Sequence, residues 1–377
     1  MLKILHIGKY YSPVKGGMET VLKLLAEGLQ EYDCEVTVLC SADGGSAKEE
    51  KIQGVKIHRL AKMADFFGQA INPMLFFKMR KLAKSCDLIH IHSPNPIVEL
   101  CALFLPGKLP MVVTHHSDVV RQRFLKQIYW PVVKLFLRRV DRIIIPTINH
   151  LKYSDVLPPF EKKCSYASFG IKLKDYRPCE KINAIKNTLL KEHGDFGLFV
   201  GRLVGYKGVL VLIDAMKNVD FKVIIIGDGP LYSELKAQSI QKGVSEKVVF
   251  QGEVASDFEL IAYYHACQFF VLPSVGRNEN FGMVQLEAMI CQKPVIATNL
   301  KTGVPCVGVA DETTLLVKPN DPQELARAMN KLVKDKSLRM KMGQSAYELA
   351  LAKYDWLKMA REYHEIYGDV LAKSALK

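Results

Sequence analysis

The chain has 377 residues, of which 49% are hydrophobic and 24% charged, a composition typical of a folded protein with room for two domains. Disordered and fibrous classes are therefore excluded. The net charge is +13, and residues 1–175 carry +10 of it, with 26 basic and 16 acidic side chains. A basic first half predicts an anionic partner such as a phosphorylated substrate, a phospholipid surface or nucleic acid.

The cysteine pattern and the lengths of the apolar runs indicate the compartment. The nine cysteines are an odd number with no CxxC spacing, which favours reduced thiols over disulfides or a zinc site. The apolar run at residues 1–8 is too short for a signal peptide. No run reaches the roughly 18–20 residues of a membrane-spanning helix. We therefore expect a cytoplasmic protein that meets a membrane only at its surface.

Short apolar runs alternate with segments of helical period, which predicts βα units and parallel sheets covered on both faces. Strands are predicted at 3–7, 35–40, 87–91, 110–114, 142–146, 196–200, 221–226, 247–250, 268–272 and 294–298. Helices are predicted at 18–31, 72–85, 120–139, 207–217, 230–242, 282–291, 322–334, 337–353 and 355–374. A polar stretch at 170–181 is expected to link two doubly wound α/β domains, at 1–172 and 173–355, with a last helix at 356–377.

In open parallel sheets, ligands bind beyond the carboxyl ends of the strands, so the loops after strands are candidate sites. After the first strand, Gly16 and Gly17 open a helix whose bare amides favour a phosphate, although an ordinary glycine turn is an equal alternative. GxGxxG and Walker motifs are absent, which disfavours dehydrogenases and P-loop enzymes. After strand 110–114, the adjacent His115 and His116 must diverge, so one of them faces the site unless both are structural.

Two loops in the second half carry charged residues. Arg202 and Lys207 follow strand 196–200, where a guanidinium fork and an ammonium could together hold a diphosphate; a solvated surface pair is the alternative. Glu279 lies in a loop, whereas Glu287 lies more than a turn inside the helix that begins near Gly282. Because apolar residues flank Glu287, its carboxylate needs hydrogen-bond donors, which sugar hydroxyls would supply.

Five segments occur in order over nearly the whole chain, each at a predicted strand end. They are Gly-Gly-Met-Glu at 16–19, His-His-Ser-Asp at 115–118, Gly-Arg-Leu-Val-Gly-Tyr-Lys-Gly at 201–208, Gly-Asp-Gly-Pro at 227–230 and Glu-x7-Glu at 279–287. Together they resemble the retaining GT-B glycosyltransferases of family 4. The resemblance implies two Rossmann-like domains facing across a cleft, with the acceptor bound by the first and a nucleotide sugar by the second. It also implies that C-terminal helices cross back to the first domain.

The resemblance implies a role for each matching residue. Arg202 and Lys207 would hold the diphosphate, and Glu279 would lie by the donor sugar. Glu287 would accept hydrogen bonds from the ribose hydroxyls, and His116, a better match than His115, would orient donor or acceptor without acting as a base. The other implied donor contacts are the amides of Gly16, Gly17, Asn280, Phe281, Gly282, Met283 and Val284, and the loop at Val254 beside the base.

The chemistry of the implied reaction bears on metal dependence. Breaking an anomeric bond to a diphosphate develops negative charge on the leaving group, which two cations and helix-terminal amides can stabilise. No DxD motif stands in a suitable loop, so we expect no essential metal and no other cofactor. In the family, retention is commonly ascribed to front-face attack, in which the leaving phosphate takes the acceptor proton.

Residues 120–142 combine seven basic side chains and one acid with aromatics and leucines, and residues 62–84 are similar. Such helices can lie on an anionic phospholipid surface, or can pack as core helices with a basic rim. The basic residues include Arg121, Arg123, Lys126, Lys134, Arg138 and Arg139. No helix-turn-helix or zinc module is visible, so nucleic acid is not an expected partner.

We expect transfer of mannose from GDP-mannose to an undecaprenyl-diphosphate-linked glycan in O-antigen (lipopolysaccharide) biosynthesis, on the cytoplasmic face of the inner membrane. The choice of mannose depends on the resemblance of residues 7–13 and the histidine pair to bacterial O-antigen mannosyltransferases. UDP-glucose, UDP-galactose and UDP-N-acetylglucosamine remain open as donors. The alternative from another class is a catalytically idle, membrane-associated protein that binds nucleotide sugars, which the intact set of charged residues disfavours.

Overall fold

The computed structural model describes residues 1–14, 16–44, 46–62, 64–66, 69–72, 74–118 and 123–376, with the backbone alone at 64–66, 69–71 and 123–128. The chain divides into two compact units. Unit 1 comprises Met1–Gly170 and Trp356–Lys377, and unit 2 comprises Ile171–Asp355. The division falls two residues before the predicted boundary at 172.

The described part of unit 1 contains a large sheet and a small separate hairpin. The strands are β1 (Leu2–Ile7), β2 (Cys34–Ser41), β3 (Lys48–Ile52), β4 (Val55–Leu60), β5 (Ala64–Phe66), β6 (Gln69–Ile71), β7 (Leu88–Ser93), β8 (Met111–His115), β9 (Arg142–Ile145) and β10 (Cys164–Tyr166). The large sheet has the order β10-β9-β8-β7-β1-β2-β4-β3, and β5 pairs with β6. All strands of the large sheet run parallel except β3, which is antiparallel to β4.

Helices cover the large sheet where the sequence places apolar faces. Those before residue 170 are α1 (Gly17–Gly28), α2 (Met74–Ala83), α3 (Pro96–Ala102), α4 (Arg123–Arg139) and α5 (Ile148–Lys152). One core joins Ile89, Ile91 and Val113 of the sheet to Phe136 and Leu137 of α4. This burial holds the strand ends of β7 and β8 in fixed register, which positions the residues that follow them.

Unit 2 is a parallel α/β sheet throughout its described strands. They are β11 (Phe196–Val200), β12 (Lys222–Ile226), β13 (Val248–Gly252), β14 (Phe269–Leu272), β15 (Val295–Thr298) and β16 (Thr314–Val317). The order β13-β12-β11-β14-β15-β16 is the Rossmann order, and the sequence of strands reverses between β11 and β14. Ligands of such sheets bind at that reversal, beyond the carboxyl ends of the two strands.

The helices of unit 2 include two that the sequence pattern did not predict. They are α6 (Glu180–His193), α7 (Val209–Ala215), α8 (Tyr232–Gln241), α9 (Asp257–Ala266), α10 (Val284–Ile290), α11 (Pro322–Lys334) and α12 (Lys336–Lys353). The missed helices α6 and α9 pack against each other. The expected linker at 170–181 was therefore wrong at its end, because Glu180 already begins α6. Only Ile182 and Leu189 of α6 are buried, too few to give a strong helical period.

The last helix, α13 (Trp356–Ala375), belongs to unit 1 and packs against α1. Tyr363 and Tyr367 of α13 are fully buried there, and Thr114 of β8 donates a hydrogen bond to the Tyr363 hydroxyl (3.1 Å). Among the described residues, no helix combines the length and hydropathy needed to span a bilayer. The nine cysteines are free thiols, in agreement with the prediction from their spacing.

Candidate functional site

The loops after β11 and β14 meet at the strand reversal of unit 2. The backbone amide of Val275 donates to the Tyr206 carbonyl at 2.8 Å. Gly208 has a φ of +69°, and a Cβ at this position would lie 2.0 Å from the Pro273 carbonyl oxygen. A side chain cannot be accommodated at Gly208, so the glycine is what allows the first loop to lie against the second.

This approach brings together Lys207 and Glu279, two of the residues named from the sequence. The Lys207 Nζ and a Glu279 carboxylate oxygen are 2.6 Å apart, with 12% and 10% of the side chains exposed. Ser274 Oγ donates to the same carboxylate oxygen at 3.1 Å. Burial lowers the pKa of Lys207, but the Glu279 carboxylate outweighs it, so the pKa lies above the ordinary value. The site therefore holds a charged ammonium with little water around it.

Arg202 lies on the same loop as Lys207 but is exposed. Its backbone is fixed on both sides, since the Gly201 amide donates to Ile226 O (3.0 Å) and the Leu203 amide to Asp228 O (2.9 Å). The structure thus places both predicted cations at the carboxyl edge of the sheet and brings only Lys207 to Glu279. Val254, predicted beside the base, is buried in the loop that follows β13.

The segment from Asn280 to Val284 leads from Glu279 into α10. The Phe281 carbonyl accepts a hydrogen bond from Gln285 Nε2 (3.0 Å), and Gly282 has a φ of +75°. The Asn280 side-chain amide Nδ2 is buried, and no described residue forms a hydrogen bond with it. Unpaired buried donors are uncommon in proteins, so this amide is available to a ligand or to a water molecule. The motif predicts a contact only for the backbone of Asn280, because a side-chain orientation cannot be inferred from spacing.

The pKa of Glu287 is shifted in the direction expected for a carboxyl group among apolar neighbours. Burial of the carboxyl raises its pKa to about 7, although the hydroxyl groups of Tyr264 and Tyr176 oppose the shift. Asp257 adds to the rise and Lys207 reduces it. A carboxyl group with this pKa is only partly ionised at neutral pH and gains from new hydrogen-bond donors.

In unit 1, Gly16 and Gly17 lie at the start of α1 as predicted. Gly16 is the N-cap residue, and apart from its own helix backbone and chain neighbours, no described atom lies within 4 Å of the position that a Cβ of Gly17 would take. The Glu19 carboxylate already lies beside Gly16, and burial raises its pKa. The amide end of α1 is therefore open at Gly17 and next to an acid at Gly16.

His115 and His116 diverge, as expected for adjacent residues at a strand end. His115 Nε2 lies 3.0 Å from Asp118 Oδ1. His116 Nε2 lies 2.9 Å from His92 Nδ1, and its ring stacks on Phe169 with 5.1 Å between centroids. His92 was not predicted from the sequence, although the alternation of His90 and His92 on one buried strand was a usable signal.

The basic surface of unit 1 includes exposed apolar side chains. They are Met74 and Phe77 on α2, Leu100 on α3, Phe104 just after α3, and Leu135 on α4, each at least 45% exposed. Arg138 of α4 is also exposed, whereas Arg139 donates to the carbonyls of Pro106 (2.8 Å) and Leu109 (3.1 Å). Arg121 lies outside the described residues, as do the side chains of Arg123 and Lys126.

Family comparisons match both units. Residues 15–152 match the family described as Glycosyltransferase Family 4, and residues 180–349 match the family described as Glycosyl transferases group 1. The two matches fall within units 1 and 2 respectively.

Two curated relatives and one solved structure resemble the whole chain. D-rhamnosyltransferase WbpZ of Pseudomonas aeruginosa is 32% identical over 346 residues, covering 92% of this chain and 90% of that protein. O-antigen chain mannosyltransferase C of Escherichia coli is 29% identical over 351 residues, covering 92% of each. The crystal structure of Anabaena Alr3699/HepE in complex with UDP has a TM-score of 0.81 at 21% identity, covering 98% of this chain and 100% of that one.

Proposed function

Because the chain belongs to the family 4 glycosyltransferases of the GT-B fold, we propose that it is a retaining α-mannosyltransferase with GDP-mannose as donor. The acceptor in this proposal is an undecaprenyl-diphosphate-linked glycan of O-antigen or lipopolysaccharide type. The E. coli relative, named an O-antigen chain mannosyltransferase, supports the choice. The observation that carries the proposal is the Lys207–Glu279 pair at the strand reversal of unit 2, beside the unpaired Asn280 amide.

The two cations account for the leaving group. As the bond from the anomeric carbon to the diphosphate breaks, its electron pair remains on the phosphate oxygen. Lys207 supplies a poorly solvated positive charge, and Arg202 supplies a planar fork of donors from the same rigid loop. Glu279 holds the Lys207 ammonium in place and offers an oxygen to a hydroxyl of the donor sugar.

The nucleoside is assigned to Glu287 and to the loop at Val254. The ribose hydroxyls donate to the Glu287 carboxylate, which favours its ionised form and relieves the cost of burial. The backbone near Val254 contacts the base. The amides of Asn280, Phe281, Gly282, Met283 and Val284 complete the phosphate contacts of unit 2. The amides of Gly16 and Gly17 are the phosphate contacts proposed for unit 1.

His116 orients the donor or the acceptor, and the leaving phosphate takes the acceptor proton in a front-face reaction. No catalytic metal is needed in this scheme, because Arg202 and Lys207 carry the positive charge. Turnover should therefore be the same with and without EDTA. A rate that falls with EDTA and recovers with Mg²⁺ or Mn²⁺ would contradict this assignment.

A donor screen tests the nucleotide and the sugar. Purified protein is heated with GDP-mannose, UDP-glucose, UDP-galactose or UDP-N-acetylglucosamine, and only the true donor should raise the unfolding temperature strongly. A ligand at about 100 times its Kd stabilises the folded state by about 2.7 kcal/mol. NMR of the product anomeric proton should then show an α-linkage. Stabilisation by a UDP-sugar alone would replace GDP-mannose.

Variants of the central pair test the site itself. Lys207→Met and Glu279→Ala should each lower kcat by about a hundredfold or more, as for loss of one preorganised electrostatic contact. The matched control is Lys217→Met, since Lys217 forms an exposed pair with Asp214 elsewhere in unit 2 (3.5 Å) and should leave kcat unchanged. Full activity in either site variant would remove the proposed mechanism.

D-Rhamnose is the second candidate sugar, because the Pseudomonas relative is named a D-rhamnosyltransferase. D-Rhamnose is mannose without the 6-hydroxyl group, so the two donors differ by one polar contact. A site that hydrogen-bonds the 6-hydroxyl rejects the deoxy sugar strongly, whereas an apolar pocket discriminates only weakly. Comparing kcat/KM for GDP-mannose and GDP-D-rhamnose decides between them.

The exposed apolar side chains on α2 to α4 support a peripheral membrane location. Phe77 and Phe104 are 63% and 66% exposed on the unit that carries most of the positive charge. We expect Phe77→Ser with Phe104→Ser to reduce co-sedimentation with anionic liposomes by about tenfold, which corresponds to ~1.4 kcal/mol. Ile240→Ser is the control, because Ile240 is equally exposed (63%) in unit 2. Equal losses of co-sedimentation in the double variant and in the control, or no loss in either, would refute a peripheral membrane location.

A further inference from the structure

A stripe of histidine side chains crosses the sheet of unit 1. His6 of β1 pairs in register with His90 of β7, and His92 follows two residues later on the same face. His116 lies just beyond β8, on the face that also carries Thr114. The first three residues have no exposed surface, and His116 is 7% exposed.

Three of these rings form a hydrogen-bonded chain. His6 Nδ1 lies 3.2 Å from His92 Nε2, and His92 Nδ1 lies 2.9 Å from His116 Nε2. A neutral imidazole has one N–H and one lone pair, so each ring must donate on one side and accept on the other. The tautomers are consequently linked: all three rings carry their proton on Nδ1, or all three carry it on Nε2.

The three hydrogen-bonded imidazole rings are neutral at physiological pH. Burial lowers the pKa of His6 to about 3 and lowers those of His92 and His116 well below the ordinary value. Protonation of one ring would also oppose protonation of the next, since a charged His6 lowers the pKa of His92, and a charged His92 lowers that of His116. His116 therefore acts through a hydrogen bond and not by accepting a proton.

The environment of His6, the ring furthest from His116 in the hydrogen-bonded series, selects between the two tautomeric states. His6 Nε2 is buried and has no hydrogen-bond partner among the residues that the structure describes. In the all-Nε2 state, this atom would be an N–H donor buried without an acceptor, the rarer kind of unsatisfied group in proteins. In the all-Nδ1 state, it is a lone pair without a donor. The second state leaves His116 with its N–H on Nδ1.

The ring of His90 packs against those of His6 and His92, but its hydrogen bonds go to other residues. Its centroid is 4.6 Å from that of His6 and 4.6 Å from that of His92. Its two nitrogens bond elsewhere, Nε2 to Thr114 Oγ1 (2.8 Å) and Nδ1 to the Tyr367 hydroxyl (2.6 Å). His90 is thus a natural control for the packing of the stripe.

A metal ion is the competing explanation for these residues. Nitrogens of His6, His90 and His92 lie within 4.8 Å of one another, close enough for shared coordination. Five of the six nitrogens, however, already have hydrogen-bond partners, and His90 and His92 are stacked at an interplanar angle of 26°. Stacked rings direct their lone pairs past one another and not toward a common centre.

We propose that His6 and His92 are positioning residues that fix His116 in the Nδ1–H tautomer, so that His116 presents a hydrogen-bond donor to an oxygen of the bound substrate. The identity of that substrate rests on the function proposed above, whereas the tautomer does not. The chain takes the place of the carboxylate or carbonyl that more commonly sets the tautomer of a functional histidine.

NMR of protein labelled with ¹⁵N-histidine tests the tautomer without any substrate. Long-range ¹H–¹⁵N correlations at pH 7 should show a pyrrole-type Nδ1 and a pyridine-type Nε2 for His116 in the wild-type protein. His6→Phe should convert His116 to a mixture of tautomers, and His90→Phe should leave it unchanged. A protonated Nε2 on wild-type His116 would overturn the proposal, as would one equivalent of metal in the purified protein.

Activity provides a readout that depends on the proposed function. The amide nitrogen of asparagine can occupy the place of Nδ1, and that of glutamine the place of Nε2. His116→Asn should therefore retain about tenfold more kcat/KM than His116→Gln, a difference of ~1.4 kcal/mol. If no transfer is detected with any donor, the NMR result still decides the tautomer. If transfer is normal and the two variants are equal, the positioning role is wrong.

Discussion

The two units solve the problem of buried polar groups in opposite ways. Unit 1 holds a stripe of neutral imidazoles whose burial keeps protons off. Unit 2 holds an ion pair, Lys207 with Glu279, and a carboxyl group, Glu287, whose burial keeps a proton on. Desolvation favours the neutral form in each unit, so it lowers the pKa of a base and raises that of an acid. The histidine stripe of unit 1 and Glu287 of unit 2 should therefore make stability depend on pH with opposite signs.

Acidification should produce the largest effect, a loss of stability in unit 1. Burial lowers the pKa of five imidazoles there, those of His6, His90, His92, His116 and His150. Below pH 6.5 the unfolded chain binds protons that the folded chain does not, so stability is present above 6.5 and is lost as the pH falls. Each imidazole can cost up to about 2 kcal/mol between pH 6.5 and 5.

Hydrogen exchange at pH 7 and pH 5, corrected for intrinsic rates, measures this loss segment by segment. Protection should fall first in β1, β7 and β8. An equal fall in β11 and β14 would show that the units do not differ. His6→Phe should reduce the acid sensitivity, because it removes one proton-binding group from the unfolded chain.

Glu287→Gln should reveal the opposite sign in unit 2, with a smaller effect. The pKa of Glu287 is about 7 in the folded state and 4.5 in the unfolded chain. Between these pH values the folded state binds more protons than the unfolded chain, so stability falls as the pH rises through 7. The glutamine side chain does not titrate and therefore removes this pH-dependent loss of stability. The variant should gain up to about 2 kcal/mol over the wild type between pH 5 and pH 8. Thermal unfolding of the variant and the wild type at pH 5 and pH 8 measures this gain, and Glu312→Gln at an exposed position is the control. A difference in stability that is the same at both pH values would contradict the raised pKa of Glu287.

The smallest effect is expected from removing one buried tyrosine hydroxyl group from each unit. The Tyr367 hydroxyl bonds His90 Nδ1 (2.6 Å), and the Tyr354 hydroxyl donates to the Val307 carbonyl (2.5 Å); both rings are fully buried. Tyr367→Phe and Tyr354→Phe should each cost about 1–2 kcal/mol. The first should cost more, because an imidazole nitrogen has a single lone pair and a carbonyl oxygen has two. Urea unfolding of the two variants measures the difference, and the reverse order would be evidence against it.

Much of the architecture follows from local sequence. The predicted strands are confirmed because continuous apolar runs between glycines and polar residues specify buried parallel strands. Helices α6 and α9 and strand β16 were missed, since their buried faces are short or interrupted by polar residues. The antiparallel β3 was missed because its residues are almost all charged.

The site depended on information that local sequence does not hold. The motifs located Lys207 and Glu279 on two loops, but their contact requires β14 to lie beside β11, which is a property of strand order. The histidine stripe was partly predictable, since His90 and His92 alternate on one strand as Thr114 and His116 do on the next segment. The place of His6 beside them depends on the register of β1 with β7.

Helix α13 has a consequence for how the chain is made. The chain enters unit 2 after Gly170 and returns to unit 1 at Trp356, so unit 2 is an insertion within unit 1. On the ribosome, all of unit 2 emerges before Tyr363 and Tyr367, the tyrosines that pair with Thr114 and His90. The residues of unit 2 are thus all synthesised before the two tyrosines that complete the histidine stripe of unit 1. A nascent chain stalled near residue 355 would leave unit 1 unfinished and exposed to chaperones and proteases.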